Sequence, residues 1–64
     1  MKENITITEL KKKVLEGKRK MILEQNGENY TNKEIMEQYQ HIFSNIEELK
    51  KEYEFLVFHG YIEE

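Results

Sequence analysis

The chain of 64 residues contains no cysteine, proline, tryptophan, alanine or aspartate. Without cysteine it can form neither a disulfide nor a thiolate zinc site, which often stabilise domains this small. All 13 acidic residues are glutamate, so mechanisms that depend on aspartate are excluded. No apolar run reaches the ~18 residues of a membrane-spanning helix, and the first residues lack the apolar region of a signal peptide. We therefore expect one cytoplasmic domain over residues 1–64.

One motif, apolar-Thr-x-x-Glu-apolar, occurs twice, at Ile5–Leu10 and at Tyr30–Ile35. In a capping box the threonine accepts a hydrogen bond from the third helical amide, and the glutamate bonds back to the cap amide. The flanking apolar residues are placed to form a hydrophobic staple. The motif therefore predicts helix starts with N-caps at Thr6 and Thr31.

Glycines mark the helix ends. Asn26-Gly27 tolerates the left-handed conformation that ends a helix, and Gly60 can end a second one in a Schellman motif that pairs Tyr61 with Leu56. The predicted helices span about 7–25 and 32–59. A short connection favours antiparallel neighbours, so the predicted fold is all-α, an antiparallel two-helix hairpin.

The second predicted helix carries the more regular apolar pattern. Its seam has spacings of four and three residues over three heptads, and three further residues widen it. The seam is Ile35, Tyr39, Ile42, Ile46, Leu49, Tyr53 and Leu56, widened by Met36, Phe43 and Val57. The first helix is less regular, with Ile7, Leu10, Val14 and Met21 facing inward and Leu15 and Ile22 as further candidates. Gly17 interrupts this stripe, either as a point of close approach or as a tolerated weak position.

At ~1.5 Å per residue the second helix is longer than the first, so its aromatic C-terminal end overhangs the hairpin. Two helices bury little surface, and chains this small are marginal without partners. We therefore predict a partner or dimer interface formed by Tyr53, Phe55, Leu56, Phe58, Tyr61 and Ile62. Paired hairpins would give a homodimeric four-helix bundle. Two alternatives remain: residues 1–5 cover the region, or residues 54–62 form a strand paired with residues 4–8.

Charge is divided between the two predicted helices. Residues 7–25 contain six basic and three acidic residues, and residues 32–59 contain three basic and six acidic residues. One interpretation is complementary charge along a helix pair, where each exposed contact contributes little. The other is a basic face that contacts an acidic partner or phosphates. Its candidate residues are Lys11, Lys12, Lys18, Arg19 and Lys20.

The sequence offers little for catalysis, and we expect no enzyme activity, cofactor or metal. Ser44 is the only serine, and His41 and His59 lie too far apart on one helix to chelate the same metal. Glu37 and His41 form at best a two-ligand pair. The three glycines are isolated, so there is no phosphate-binding loop.

Two segments carry resemblances to known families. Residues 48–63, with Gly60-Tyr61-Ile62, resemble the third helix and wing entry of a winged helix, which implies nucleic-acid binding. Residues 19–46 are similar to the two-helix hairpins of the sporulation-regulator aspartyl-phosphate phosphatases. Where that family has Ser-Gln-Glu-Leu-Asp, this chain has Tyr39-Gln40-His41-Ile42-Phe43. Phe43 replaces the aspartate, so the resemblance implies a hairpin shape and a response-regulator-binding surface without the catalytic residue.

The leading hypothesis is a small non-enzymatic regulatory or inhibitory protein that binds a larger protein through its aromatic helical surface. A phosphatase-like hairpin that binds a response regulator is one alternative. Nucleic-acid binding through the basic first helix is another. The composition, rich in glutamate, lysine, isoleucine and asparagine, suits a bacterial developmental regulator or a phage protein.

Overall fold

A computed structural model describes residues 6–63. Within this range the chain is all-helical, with α1 at Ile7–Asn26, α2 at Asn32–Gln38, α3 at Gln40–Phe43 and α4 at Ile46–Phe58. The helices pack into a body with a radius of gyration of 11.2 Å. The all-α prediction is therefore confirmed.

Both predicted helix starts are present. Thr6 caps α1 by accepting a hydrogen bond from the Glu9 amide at 3.1 Å. Thr31 caps α2 in a complete capping box, in which its hydroxyl accepts from the Glu34 amide at 3.2 Å. The Glu34 carboxylate in turn accepts from the Thr31 amide at 3.0 Å. Each cap satisfies backbone donors that a helix start leaves unpaired.

Both predicted glycine stops are confirmed as well. Gly27 ends α1 at φ 73°, and its amide donates to the Leu23 carbonyl at 2.9 Å. Gly60 follows α4 at φ 82°. The Tyr61 amide donates a hydrogen bond to the Leu56 carbonyl at 2.8 Å, and the Gly60 amide donates to the Val57 carbonyl at 3.0 Å. These two bonds define a Schellman motif. This motif turns the last described residues back toward α1.

The prediction of one helix over 32–59 is wrong, because the chain divides there into α2, α3 and α4. Tyr39 leaves helical geometry at φ −116° and ψ 34°. Asn45 is extended and starts α4, since its side chain accepts from the Glu47 and Glu48 amides at 3.0 and 3.4 Å. Asparagine is among the best N-cap residues, and this local signal outweighs the continuous apolar seam.

The alternative strand at residues 54–62 is also wrong, because residues 54–58 lie in α4. Its proposed partner segment, residues 4–8, belongs to α1 from Ile7 onward. Residues 4 and 5 of that segment lie outside the described residues. The other alternative, in which residues 1–5 cover the aromatic C-terminal end, also falls outside the described residues.

Among residues 6–63 the core contains ten buried apolar side chains, contributed by every helix and by the segment after α4. They are Leu10, Val14, Leu15, Ile22, Ile35, Ile42, Phe43, Leu49, Leu56 and Ile62. Helix α1 packs against α2 and α4, and α3 packs against the same two helices. Three residues expected to face inward are instead exposed: Ile7, Met36 and Ile46. The breaks at Tyr39 and Asn45 reorient the helices, which removes Ile46 from the continuous seam.

Gly17 is a point of close approach. A Cβ atom there would lie 2.7 Å from Ile62 Cγ1 and 3.1 Å from Leu56 Cδ1. Ile62 Cγ1 is attached directly to its own Cβ, so it has little freedom to move aside. Glycine therefore lets the segment after α4 pack directly on α1. Of the two interpretations of Gly17 from the sequence, the structure supports close approach.

We predict that Gly17→Ala lowers the free energy of unfolding by about 1 kcal/mol. Overpacking costs roughly 1–3 kcal/mol and outweighs the gain of ~1 kcal/mol in helix propensity. In an Ile62→Ala background, which removes the clashing Cγ1 atom, the same substitution should become neutral or stabilising. Urea unfolding followed by circular dichroism measures both. A rise in stability for Gly17→Ala alone would contradict the close packing.

Candidate interaction surface

The six residues of the predicted interface separate into three groups. Leu56 and Ile62 are buried in the core of the chain, at 0% and 8% exposure. Tyr53 and Tyr61 are half-buried and pack against that core. Phe55 and Phe58 point outward, with 46% and 84% of their surfaces exposed. Of the six predicted interface residues, these two phenylalanines are the ones that present a large apolar surface to solvent.

Helix geometry explains this division. Leu49 and Leu56 are seven residues apart, two helical turns, and both face the core. Phe58 follows Leu56 by two residues, which rotates it by about 200° at ~100° per residue. Phe55 and Phe58 are three residues apart and share the outward side. Helix α4 therefore has two apolar faces, and within the described residues the core uses one of them.

The outward phenylalanines form a compact cluster with a histidine. His59, which ends α4, lies with its ring centroid 4.4 Å from that of Phe55 and 5.2 Å from that of Phe58. The Phe58 and His59 rings meet edge to face, at 88°, a favourable aromatic arrangement. We call Phe55, Phe58 and His59 the aromatic patch. Contacts between its rings limit their rotamers, so the patch is partly preorganised.

Charged side chains of both signs are exposed on the part of α4 that precedes the aromatic patch. They are Glu47, Glu48, Lys50, Lys51 and Glu54. At helical spacing Lys51 neighbours all three glutamates, and Lys50 neighbours Glu47 and Glu54. Three negative charges against two positive charges leave this part of α4 with a small net charge.

The segment after α4 closes over α1 through its side chains. Ile62 packs at Gly17, and the Tyr61 hydroxyl donates a hydrogen bond to the Glu24 carboxylate. That bond, together with partial burial and the negative charge of Glu24, raises the pKa of Tyr61. A shallow groove of about 330 Å³ lies beside this contact. Its polar lining, Lys13, Glu16, Lys20 and Glu63, mixes both signs of charge and shows no preference for an anion or a cation.

The basic face predicted on α1 loses one member, because Lys18 is buried at 7% exposure. Its ammonium lies 2.6 Å from the Glu52 carboxylate of α4 and 4.6 Å from the centre of the Tyr39 ring. Lysine is rarely buried unless it is paired, and here an ion pair and a cation–π contact both compensate for its lost hydration. Lys18 therefore joins α1, α4 and the break at Tyr39 and cannot contact phosphates.

The remaining basic residues are dispersed. Lys12 and Lys20 are exposed, whereas Lys11 and Arg19 are half-buried. The Arg19 guanidinium donates to the Asn32 side chain at the start of α2. Exposed Glu9 and Glu16 lie among the basic residues on the outer side of α1, so the positive charge is partly cancelled.

The hydroxyl and imidazole side chains considered for catalysis or metal binding, Ser44, His41 and His59, are all exposed. Over residues 6–63 no three histidine or acidic side chains come close enough to hold a metal ion. The Ser44 hydroxyl donates to the Gln40 carbonyl at 2.7 Å, and His41 is exposed. None of the helices α1 to α4 has both the length and the apolar character needed to cross a membrane.

Comparison of the chain with protein-family models, curated proteins and solved structures found no match. The resemblances to the aspartyl-phosphate phosphatases and to a winged helix therefore stay predictions. At the position of the phosphatase family's aspartate, Phe43 is buried in the core. The residues preceding it, Gln40 and His41, are exposed on α3.

We predict that Glu52→Gln lowers the free energy of unfolding by about 2 kcal/mol, because it leaves the Lys18 ammonium buried without its counter-charge. Adding Lys18→Met should restore most of that loss, since the unpaired charge is then removed. The exposed Glu54→Gln on the same helix is the matched control and should change stability by less than about 0.5 kcal/mol. Equal effects at positions 52 and 54 in urea unfolding would show that the ion pair contributes nothing specific.

Proposed function

We propose that this chain is a small non-enzymatic regulatory or inhibitory protein that binds a larger protein through the aromatic patch of α4. The single observation that supports it most is the exposure of Phe58 at 84%, beside the half-exposed Phe55. Full burial of a phenylalanine contributes roughly 1.5–3 kcal/mol. Two adjacent phenylalanines on a preorganised helix therefore offer substantial binding energy to a partner.

The arrangement matches the physics of interface anchors. A few large side chains supply most of the energy of a typical interface, and aromatic residues are prominent among them. Phe55 and Phe58 lie on a helix whose opposite side is fixed by the fully buried Leu49 and Leu56, so little backbone ordering is needed on binding. That rigidity lowers the entropic cost of association.

Self-association would use the same surface. The sequence predicts a homodimer that forms a four-helix bundle, and exposed apolar residues of α4 are the natural contacts for it. A second copy and a larger partner would then compete for the aromatic patch. Sedimentation over a range of concentrations detects the dimer directly.

We predict that Phe55→Gln with Phe58→Gln leaves the fold intact and abolishes partner binding. Both side chains are largely outside the core, so the free energy of unfolding should change by less than about 1 kcal/mol. Leu56→Ala is the matched core variant on the same helix and should cost about 2–5 kcal/mol. Urea unfolding measures stability, and affinity capture from cells that naturally make the protein, with mass spectrometry, measures binding.

The control for capture is Leu23→Gln, which removes an apolar side chain on α1 that is exposed to a similar degree as Phe55. A protein retained by the unmodified chain and by Leu23→Gln, but lost with the double phenylalanine variant, supports the proposal. A protein retained equally by all three variants would place the binding surface elsewhere. Loss of folding in the double variant would show that both phenylalanines belong to the core.

A further inference from the structure

We propose that Asn26 is a site of spontaneous deamidation, at a rate set by the hydrogen bond that ends α1. The modification lies apart from the aromatic patch and does not rest on the proposed function. Asn26-Gly27 is the one asparagine-glycine pair of the sequence, since Asn4, Asn32 and Asn45 precede isoleucine or lysine. A glycine after asparagine places no side chain in the way of attack by its own amide nitrogen.

The reaction needs water and no other reactant. The Gly27 amide nitrogen gives up its proton and forms a bond to the side-chain carbonyl carbon of Asn26. The bond from that carbon to the side-chain nitrogen breaks, and ammonia leaves with the proton. The product is a cyclic imide, which water then opens at either carbonyl. Opening at the side-chain carbonyl gives aspartate, and opening at the main-chain carbonyl gives isoaspartate, which lengthens the main chain by a carbon atom.

The structure exposes Asn26 to water and holds the attacking nitrogen in a hydrogen bond. Asn26 is the last residue of α1, and both it and Gly27 are exposed. The Gly27 amide donates to the Leu23 carbonyl at 2.9 Å. While this bond holds, the amide proton is shared with the carbonyl and the nitrogen is not free to attack. Deamidation of the folded chain therefore waits for the end of α1 to open.

The end of α1 can open without unfolding of the whole chain. Helix ends fray at a small fraction of the free energy of global unfolding. Residues 23–27 are all exposed, and the last core side chain of α1 is Ile22, about one turn before Asn26. Only the last helical residue has to leave helical geometry, so the hydrogen bond from Tyr61 to Glu24 can stay in place.

The new carboxylate would destabilise this end of α1. The C-terminal end of a helix carries partial negative charge, and the last turn of α1 has no basic residue to offset more of it. Exposed Glu24 and Glu28 flank position 26, so the added charge meets others of the same sign. Isoaspartate also alters the main chain where Gly27 ends the helix, which displaces the amide that bonds to Leu23. Deamidation therefore loosens the start of the connection between α1 and α2.

The test follows ageing of the full chain at neutral pH and physiological temperature, both folded and unfolded in guanidinium chloride. Trypsin cleaves after Lys20 and Lys33, so one peptide carries Asn26 and, as an internal control, Asn32. Mass spectrometry measures deamidation at each asparagine, and chromatography separates the aspartate and isoaspartate products. We expect Asn26 to be modified and Asn32 to stay intact. Folding should slow the reaction at Asn26 by about two- to tenfold, the effect of one hydrogen bond.

Three variants separate local opening and its consequence from global unfolding. Ile42→Val, at a buried position of α3, should raise the equilibrium constant for unfolding by about two- to tenfold and leave the rate at Asn26 unchanged. Asn26→Asp reproduces the aspartate product and should raise the equilibrium constant for unfolding by about two- to fivefold. Asn26→Gln is its uncharged control and should change that constant little. Urea unfolding measures all three.

Each other result overturns part or all of the inference. Equal rates at Asn26 and Asn32 would show that Gly27 gives no advantage, and no reaction in the unfolded chain would remove the site altogether. Equal rates in the folded and unfolded chain would show that the Gly27 hydrogen bond does not control the reaction. A rate that rises with Ile42→Val, or a reaction confined to the unfolded chain, would rule out local opening. Equal stability of Asn26→Asp and Asn26→Gln would overturn the predicted consequence.

Discussion

The structure depends on the packing of α1 against α4 at Gly17. The absence of a side chain there allows Ile62 and Leu56 to approach α1 closely, and the Schellman motif at Gly60 directs Ile62 to that position. Once this contact is made, α4 has one orientation relative to the core. Phe55 and Phe58 then point away from the core as a consequence of helical geometry.

This constraint links packing to function. The described residues complete a core of ten apolar side chains without Phe55 or Phe58. A chain of this size has little apolar surface to spare, so the two phenylalanines outside this core are the feature on which the proposed partner binding rests.

Much of the fold could be predicted from local sequence signals. The threonine caps, the stop at Gly27 and the Schellman motif at Gly60 depend on short-range hydrogen bonds, which neighbouring residues specify. The break before α4 was missed although Asn45, followed by Glu47 and Glu48, is itself a helix-start signal. The apolar seam that continues past Asn45 obscured it, because spacing alone does not show where a helix changes direction.

The surface residues were predicted less well, for a physical reason. Lys18 belongs to a run of basic residues, but its helical position lies among the core positions Val14, Leu15 and Ile22, so it is buried and paired with Glu52 on another helix. The sequence predicts that Leu56 and Ile62 belong to an exposed aromatic end. Spacing along one helix does not reveal that the last segment packs on Gly17, because that contact joins residues far apart in sequence. Phe55 and Phe58 were identifiable, since their spacing departs from the core seam.

The central claim is that the outward side of α4 is left uncovered by the chain itself, and fluorine NMR tests it most directly. Labelling with 4-fluorophenylalanine gives three resonances, from the only phenylalanines in the sequence. With a soluble paramagnetic agent at low protein concentration, the account predicts strong broadening for Phe55 and Phe58 and protection of the buried Phe43. Equal protection of all three would contradict it, because the patch would then be covered within the free protein.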